Sequence, residues 1–329
     1  MKERHPARYQ RREGDLIICA LCPHMCRLSE GERGICRGRM VIDGELIAVN
    51  YGLTPSLSID PIEKKPLYHF YPGQPILSLG PAGCNFRCEF CQNWQISQTD
   101  FPTHEVDPQS LLSYAREGGA IGISYTYTEP LIWFEFIYDC ASAFREAGFK
   151  NVMVSNGYVN PEPLAELLPL IDAWNIDLKS IRPEFYRRLS GGTLEPVLKT
   201  IEAVNRVALV ELTNLVIPGE NDSEEDLRDL VAWVADLDRS IPLHFSRYHP
   251  DYKSSHPPTP ASTLEAAYRI GRERLDYVYV GNIFIRGTDT TWCPNCGKAV
   301  IERSGFGIRA IQLEVDRCAH CGHQCRIVR

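Results

Sequence analysis

Residues 80–94 read GPAGCNFRCEFCQNW and contain three cysteines, Cys84, Cys88 and Cys91, in the spacing C-x3-C-x2-C. Thiolates are soft ligands that suit zinc ions or iron–sulfur clusters. When three thiolates hold a four-iron cluster, one iron has no protein ligand, and an open metal position is where chemistry takes place. The spacing therefore predicts a catalytic metal site. The alternatives are three structural cysteines or an incomplete zinc site.

The residues before the first cysteine fit this interpretation. Residues 76–79 (ILSL) are typical of a short buried strand. Gly80 and Gly83 follow, and glycine allows a backbone to lie close to an inorganic core. We therefore expect the three cysteines to lie directly after the end of a buried strand.

Composition limits the class of protein. A length of 329 residues allows one large domain with small appendages, or two medium domains. The net charge of −7 argues against a non-specific nucleic-acid surface. No segment approaches the roughly 18–20 apolar residues of a membrane span, and no apolar run follows the basic start, as a secretory signal would require. Most of the thirteen cysteines fall in C-x2-C or C-x3-C groups, which indicates metal binding in a reducing cytoplasm.

The middle of the chain alternates between strand and helix patterns. Strands are predicted near 76–80, 121–126, 151–155, 172–178, 208–217 and 242–248. Helices are predicted near 108–117, 131–147, 161–169, 183–190, 195–206, 223–237 and 260–274, with Pro161 at one of the starts and either Asp222 or Ser223 as the N-cap of another. This alternation predicts an α/β fold of parallel βα units. Six units are too few for a closed eight-stranded barrel, so we expect a partial (β/α)6 TIM-like barrel.

Polar segments follow each predicted strand, and in βα barrels the chemistry lies at these strand ends. After the cysteine triplet, the residues of interest at the later strand ends are Tyr127, Thr128, Glu129, Ser155, Asn156, Asp177, Lys179 and His249. We expect these side chains to converge on one rim. The alternative for each is a polar rim residue that is satisfied by local hydrogen bonds.

Two further cysteine groups flank the predicted barrel. Near the carboxyl terminus, Cys293, Cys296, Cys318 and Cys321 form two C-x2-C pairs, typical of a four-cysteine zinc ribbon. A rubredoxin-like iron site and an auxiliary cluster are the alternatives. Near the amino terminus, Cys19, Cys22, Cys26 and Cys36 give C-x2-C-x3-C-x9-C, for which we favour zinc over a second iron–sulfur cluster. Cys140 lies in a helix pattern and is interpreted as inert core.

With Phe90 as the aromatic, the motif C-x3-C-x-(aromatic)-C resembles the signature of radical S-adenosylmethionine (SAM) enzymes. The resemblance implies that the three cysteines hold a [4Fe–4S] cluster whose free iron chelates SAM. Reductive cleavage then releases a 5′-deoxyadenosyl radical that abstracts hydrogen from a substrate. It also implies roles for the rim residues: Phe90 lies near the adenine, Tyr127, Thr128 and Glu129 occupy the GGE-type motif, and Ser155, Asn156, Asp177, Lys179 and His249 lie near SAM.

Over nearly its whole length the chain resembles AmmeMemoRadiSam-system radical SAM enzymes, which are related to pyruvate formate-lyase activases. The resemblance rests on CxLCPHxCxLxxGxxGxC at 19–36, DPIEKKPLYHF at 60–70, the triplet segment, YTYTEP at 125–130 and the terminal cysteine pairs. It implies Memo-like and AMMECR-domain partners and an electron donor of the flavodoxin or ferredoxin type.

The predicted organisation is a cysteine-rich segment at residues 1–72, the partial barrel at 73–286 and a zinc-ribbon domain at 287–329. Two other functions stay open. One is an activase that installs a glycyl radical on a protein partner, and the other is a non-catalytic, metal-stabilised binding protein.

Overall fold

The computed structural model describes residues 4–329. Its amino-terminal part consists of short antiparallel pairs. Strands β1, β2 and β3 form one small sheet, β4 and β5 form a hairpin, and β6 pairs with the later strand β9. These strands are β1 Gln10–Glu13, β2 Leu16–Cys19, β3 Arg27–Leu28, β4 Arg39–Ile42, β5 Glu45–Ala48, β6 Leu53–Thr54 and β9 His104–Glu105.

An eight-stranded sheet forms the centre of the molecule. Its strands are β7 Leu57–Pro61, β8 Pro75–Leu79, β10 Gly122–Tyr125, β11 Lys150–Ser155, β12 Ala173–Asp177, β13 Leu209–Val216, β14 Leu243–Arg247 and β15 Val278–Gly281. They lie in the order β15-β14-β13-β12-β11-β10-β8-β7, and every neighbouring pair is parallel except β7 with β8. The prediction of an α/β fold with a mostly parallel sheet is confirmed.

The sheet has two strands more than the six that the sequence predicts. β15 adds a seventh parallel strand beside β14, and β7 pairs antiparallel with β8 at the opposite edge. Both are short, and a strand of four or five residues becomes regular only where a sheet edge accepts its hydrogen bonds. The partial barrel and the domain boundaries at 72/73 and 286/287 stay predictions.

Helices connect the parallel strands where the sequence predicts them, and one further short helix, at 94–98, was not predicted. They are α1 Trp94–Gln98, α2 Pro108–Glu117, α3 Phe134–Glu146, α4 Pro161–Leu167, α5 Pro183–Phe185, α6 Leu194–Asn205, α7 Glu224–Asp238 and α8 Ala261–Arg274. Ser223 Oγ accepts the Asp226 N–H at the start of α7, as predicted for an N-cap. The predicted helix at 183–190 continues from α5 as the π-helical turn Tyr186–Ser190. No helix within residues 4–329 has both the length and the apolar character of a membrane span.

The ends of the central strands lie close together at the predicted rim. A Cβ atom at Gly80, directly after β8, would lie 1.9 Å from the Thr126 carbonyl oxygen, directly after β10. Only glycine permits this approach. The contact brings the cysteine loop beside residues 126–129, so the two segments form one wall of the rim.

The carboxyl-terminal unit contains β16 Thr291–Trp292, β17 Ala299–Ser304, β18 Gly307–Ile311, β19 Leu313–Glu314 and β20 Arg317–Cys318. The hairpin of β17 and β18 lies between the two cysteine pairs. The Val328 N–H donates to the His69 carbonyl oxygen at 2.8 Å, and Arg303 Nη2 donates to the Tyr68 carbonyl oxygen at 2.7 Å. These bonds attach the unit to the segment between β7 and β8.

Candidate functional site

The three cysteines of the loop after β8 line one cavity of about 220 Å³. The sequence-predicted residues that join them in its wall are Phe90, Tyr127, Thr128, Asn156, Asp177 and Lys179. These residues come from the loops after four neighbouring parallel strands. The predicted convergence of strand-end residues is therefore present for these six residues, but Glu129, Ser155 and His249 do not line the cavity.

The environment of the thiols suits metal ligation. Cys84 Sγ accepts the Phe86 N–H at 3.3 Å, and Cys91 Sγ lies 3.2 Å from Ser97 Oγ. Burial raises the pKa of Cys84 and Cys88, so both favour the neutral thiol until a cation compensates the thiolate charge. A thiolate site that faces a cavity and has only three protein ligands fits a cluster with one open iron.

Lys179 and Asp177 form an ion pair on the far wall of the cavity. Lys179 Nζ lies 2.8 Å from Asp177 Oδ2 and 5.9 Å from the centre of the Phe90 ring. Burial alone would lower the pKa of Lys179, but the nearby Asp177 and Cys88 outweigh it and raise this pKa above its usual range. The pair therefore presents a fixed ammonium and a carboxylate beside the cysteines, which suits a zwitterionic ligand.

Glu129 holds the loop after β11 in place from inside the protein. Its carboxylate is fully buried, and it accepts the Asn156 N–H at 2.7 Å and Ser155 Oγ–H at 2.8 Å. Burial raises its pKa to about 7 despite these donors. Glu129 and Ser155 do not line the cavity. Asn156 does, and its Nδ2 donates to Asn85 Oδ1 at 2.8 Å and lies 3.8 Å from Cys84 Sγ.

Tyr127 adopts a backbone conformation that normally favours glycine, with φ of 72°. Its hydroxyl donates to Asp60 Oδ2 at 2.8 Å, and its carbonyl oxygen accepts Asn93 Nδ2–H at 2.5 Å. The Asp60 carboxylate also binds Lys64 and the buried Lys65. These bonds stabilise a turn that a tyrosine would otherwise leave strained, and they direct the backbone of residues 127–128 into the cavity wall.

His249 is the one predicted cofactor residue that the structure places on the surface. Its side chain is exposed and does not line the cavity. It follows β14 by two residues, where the chain turns away from the rim. Its role near SAM stays a prediction.

Eight cavity residues were not singled out from the sequence. Phe86, Gln92, Asn93 and Ser97 lie in or just after the cysteine loop, and the other four come from later strands: Thr213, Leu215, Ser246 and Asn282. Of these later four, the first three lie in the last half of β13 and β14, and Asn282 follows β15. Their position at the carboxyl ends of predicted strands was the available signal for those three. Asn282 could not be found in this way because β15 was not predicted.

A second cavity, of about 510 Å³, adjoins the first. Thr213, Ser246 and Asn282 line both cavities. The second cavity extends toward the carboxyl-terminal unit, where Phe306 forms part of its wall together with Phe284. Both phenylalanines are strongly exposed, at 50% and 78% of their surface. The volume lies within the range of small-molecule sites.

The carboxyl-terminal cysteines have a different geometry from the triplet. The Sγ atoms of Cys293, Cys296, Cys318 and Cys321 all lie within 4.8 Å of one another. Cys293 and Cys321 are 3.6 Å apart, and Cys296 and Cys318 are 3.8 Å apart. A tetrahedral zinc with Zn–S bonds of about 2.3 Å separates its sulfurs by about 3.8 Å. The four thiols therefore fit a site in which one metal ion is bound by all four sulfurs.

Comparison with known proteins places the chain in a family. Residues 80–231 match the model of the Radical SAM superfamily, and the chain belongs to this superfamily. It is 47% identical to the uncharacterized protein MJ0808 of Methanocaldococcus jannaschii, over 97% of this chain and 98% of that protein.

More distant similarities agree with this family. The chain is 24% identical to the pyruvate formate-lyase-activating enzyme of Listeria monocytogenes, over 51% of this chain and 72% of that enzyme. Among solved structures, Streptococcus suis SuiB bound to S-adenosylmethionine has a TM-score of 0.50 and 15% identity, over 64% of this chain and 49% of that one. The similarity to SuiB concerns the fold.

Proposed function

We propose that the protein is a radical SAM enzyme in which Cys84, Cys88 and Cys91 hold a [4Fe–4S] cluster. The observation that carries the proposal is the first cavity, where three thiols of one loop face the Asp177–Lys179 pair. When bound, the cluster and SAM together supply a 5′-deoxyadenosyl radical for hydrogen abstraction.

The cavity residues have separate tasks in this proposal. Lys179 neutralises the SAM carboxylate, and Asp177 accepts hydrogen bonds from the SAM amino group or ribose. The backbone of Tyr127 and Thr128 contacts the methionine part, and Phe90 packs near the adenine. Glu129 and Ser155 act indirectly, because their hydrogen bonds fix the loop that carries Asn156.

The substrate space is the second cavity. It shares Thr213, Ser246 and Asn282 with the SAM cavity, so a substrate there would meet a radical formed in the first cavity. The exposed Phe284 and Phe306 at its edge suit a substrate with an apolar part. The substrate itself is not identified by these residues.

The remaining assignments concern cofactors, partners and compartment. The carboxyl-terminal quartet would bind structural zinc, because its sulfur separations match a tetrahedral ion. By resemblance, the enzyme would be of the AmmeMemoRadiSam type, with Memo-like and AMMECR-domain partners and a flavodoxin- or ferredoxin-type donor. Thirteen free thiols favour a reducing cytoplasm.

Anaerobic reconstitution tests the proposal. The full chain is loaded with iron and sulfide and then incubated with SAM and dithionite, and 5′-deoxyadenosine is quantified. We expect 5′-deoxyadenosine from the wild type and none from Cys88→Ala. A wild type that yields none, or a Cys88→Ala variant that yields as much, contradicts the proposal. A protein with zinc and no iron chromophore would support a metal-stabilised binding protein instead.

The similarity to a pyruvate formate-lyase-activating enzyme favours a second candidate, an activase for a glycyl radical protein. Co-incubation of the reconstituted enzyme, SAM and a glycyl radical enzyme separates the two functions. A glycyl doublet in the electron paramagnetic resonance (EPR) spectrum supports an activase. Formation of 5′-deoxyadenosine without a doublet supports a different substrate.

A further inference from the structure

The amino-terminal cysteines Cys19, Cys22, Cys26 and Cys36 lie together in the fold. Cys19 N–H donates to the Cys26 carbonyl oxygen at 2.9 Å where β2 and β3 pair. A Cβ atom at Gly34 would lie 3.7 Å from Cys26 Sγ and 3.9 Å from Cys36 Sγ. The turn that contains Gly34 therefore brings the fourth cysteine next to the first three.

Their spacing nevertheless differs from that of a single-ion site. Among residues 4–329, only the carboxyl-terminal quartet has its ligand atoms all within 4.8 Å. A zinc ion would require the amino-terminal sulfurs to meet the same limit, because all four would bind one atom about 2.3 Å away. In a four-iron cluster each thiolate binds a different iron, so the four sulfurs lie farther apart.

We propose that Cys19, Cys22, Cys26 and Cys36 hold a second [4Fe–4S] cluster, closed by four thiolates, rather than a zinc ion. The sulfur spacing carries this assignment, and it does not depend on the function of the triplet. It reverses the preference for zinc that the sequence alone suggested.

Backbone hydrogen bonds support a ligand role for these thiols. Burial raises the pKa of Cys19, Cys22 and Cys36, and the backbone N–H groups of Leu21, His24 and Gly38, each two residues later in the chain, act against that rise. Phe86 has the same relation to Cys84 in the catalytic loop. Such N–H···S bonds stabilise thiolates and adjust the potential of iron–sulfur clusters.

A buried cation lies beside the same thiols. Arg39 is fully buried and acts electrostatically on Cys19 and Cys36. Its Nη2 binds Glu135 Oε1 at 2.6 Å, but its Nε has no hydrogen-bond partner. A buried guanidinium favours an anionic group nearby, and a cluster with four thiolates is anionic in both of its redox states.

The proposed cluster would contact the catalytic loop directly. A Cβ atom at Gly83 would lie 2.3 Å from the Cys36 carbonyl oxygen, so the backbones before Cys84 and at Cys36 touch. His24 Nε2 lies 2.7 Å from the Asn85 carbonyl oxygen on the same side. The two cysteine sites are therefore joined through a few atoms of backbone.

This contact gives the second cluster a task, which rests on the proposed function of the triplet. A four-thiolate cluster has no open iron and serves electron transfer. A low-potential donor of the flavodoxin or ferredoxin class reduces it by one electron. That electron would pass to the cluster held by Cys84, Cys88 and Cys91, which would supply it for cleavage of the S–C5′ bond of SAM. One electron enters and one leaves, so the second cluster returns to its oxidised state.

Metal analysis and EPR spectroscopy of the reconstituted full chain test the assignment. We expect about eight irons per wild-type chain and about one zinc. The variant Cys84→Ala/Cys88→Ala/Cys91→Ala should keep about four irons and a dithionite-reduced EPR signal that SAM does not alter. The variant Cys19→Ser/Cys22→Ser should also keep about four irons, with a signal that SAM shifts.

Retention of the single carboxyl-terminal zinc, together with a wild-type circular dichroism spectrum, shows that each variant is folded. A wild type with two zincs and four irons overturns the second cluster, as does a triple variant without iron. If SAM shifts no signal but the triple variant keeps its iron, the proposed function fails while the second cluster stands. A wild-type EPR spectrum that is broader than the sum of the two variants' spectra supports electron transfer between the clusters. A wild-type spectrum equal to that sum overturns it.

Discussion

The cysteine triplet of the central rim and the cysteine quartet of the carboxyl-terminal unit present the same ligand atom in different geometries. The quartet brings four sulfurs within 4.8 Å of one another, with two of the pairs at 3.6 and 3.8 Å, and it offers one ion a full set of four ligands. The triplet spreads three sulfurs along a cavity whose other wall carries Lys179 and Asp177. The comparison teaches that ligand number and surroundings, rather than cysteine content, are what would separate the catalytic centre that we propose from a structural metal site.

The largest effect is expected from a substitution within the cysteine triplet. Cys88→Ala should lower the iron content by about four atoms per chain, because two thiolates do not retain a four-iron cluster. Formation of 5′-deoxyadenosine should fall below detection. Cys140→Ala is the matched control, since Cys140 is fully buried in α3 and belongs to none of the three groups. Equal iron contents in the two variants would contradict the assignment of the triplet.

The corresponding change in the quartet should affect zinc and not iron. Cys296→Ser should lower zinc from about one ion per chain to almost none, since a structural site needs all four ligands. Hydrogen exchange of amides in Ala299–Ser304 should accelerate because the zinc site supports this hairpin. Cys325→Ala, which alters a buried cysteine of the same unit outside the quartet, should keep its zinc. Loss of iron in Cys296→Ser would show that the two sites are not independent.

The role of the cavity wall opposite the triplet can be tested by removing the charge of Lys179. Lys179→Met should weaken SAM binding by roughly 10- to 100-fold, the effect of losing one charge-assisted hydrogen bond. Anaerobic calorimetry with the reconstituted protein measures the dissociation constant. Lys199→Met removes an exposed lysine paired with Glu195 and should leave binding unchanged. A change of less than twofold in Lys179→Met would remove Lys179 from the SAM site.

The stability of the protein should depend on pH through Glu129, which holds the loop that carries Asn156. The pKa of Glu129 rises from 4.5 to about 7 on burial, so the folded protein binds more protons than the unfolded chain between these values. The free energy of unfolding should therefore fall by roughly 2–4 kcal/mol as pH rises through this window. Glu129→Gln should be less stable at pH 5 but should lack this loss, as urea unfolding at several pH values would show. An identical slope in both proteins would contradict the shifted pKa.

The smallest expected effect concerns the hydroxyl next to Cys91. Ser97→Ala removes a group 3.2 Å from Cys91 Sγ and should lower the reduction potential of the catalytic cluster by about 20–60 mV. Redox titration followed by EPR measures the shift, and the iron content serves as control. A higher potential in the variant would show that the serine does not donate to the sulfur.

Much of the fold could be predicted because its signals are local. Apolar runs such as residues 151–155 define the parallel strands, and the N-cap Ser223 defines a helix start. β7 and β15 were missed because their pairing depends on the edges of a sheet that forms elsewhere in the chain. Asn282 was not predicted for the same reason, because it comes directly after β15 and lines the cavity from there.

Only part of the site could be predicted, because only some of its residues are close to one another in the sequence. Cysteine spacing identified the triplet and the quartet, because ligands on one loop or in paired knuckles are close in sequence. The backbone conformation of Tyr127, the indirect position of Glu129 and the exposure of His249 depend on contacts with distant segments. Asp60, for example, supports Tyr127 from 67 residues away.

The sequence by itself determined the parallel α/β fold, the three cysteine groups and the membership in a superfamily of SAM-dependent enzymes. These follow from local periodicity and from ligand spacing along the chain. Only the tertiary structure decided which sulfurs lie at single-ion distance, which polar residues share a cavity with the triplet, and that the amino-terminal cysteines touch the catalytic loop. Those properties depend on distances between segments far apart in sequence, which packing fixes and local pattern does not contain.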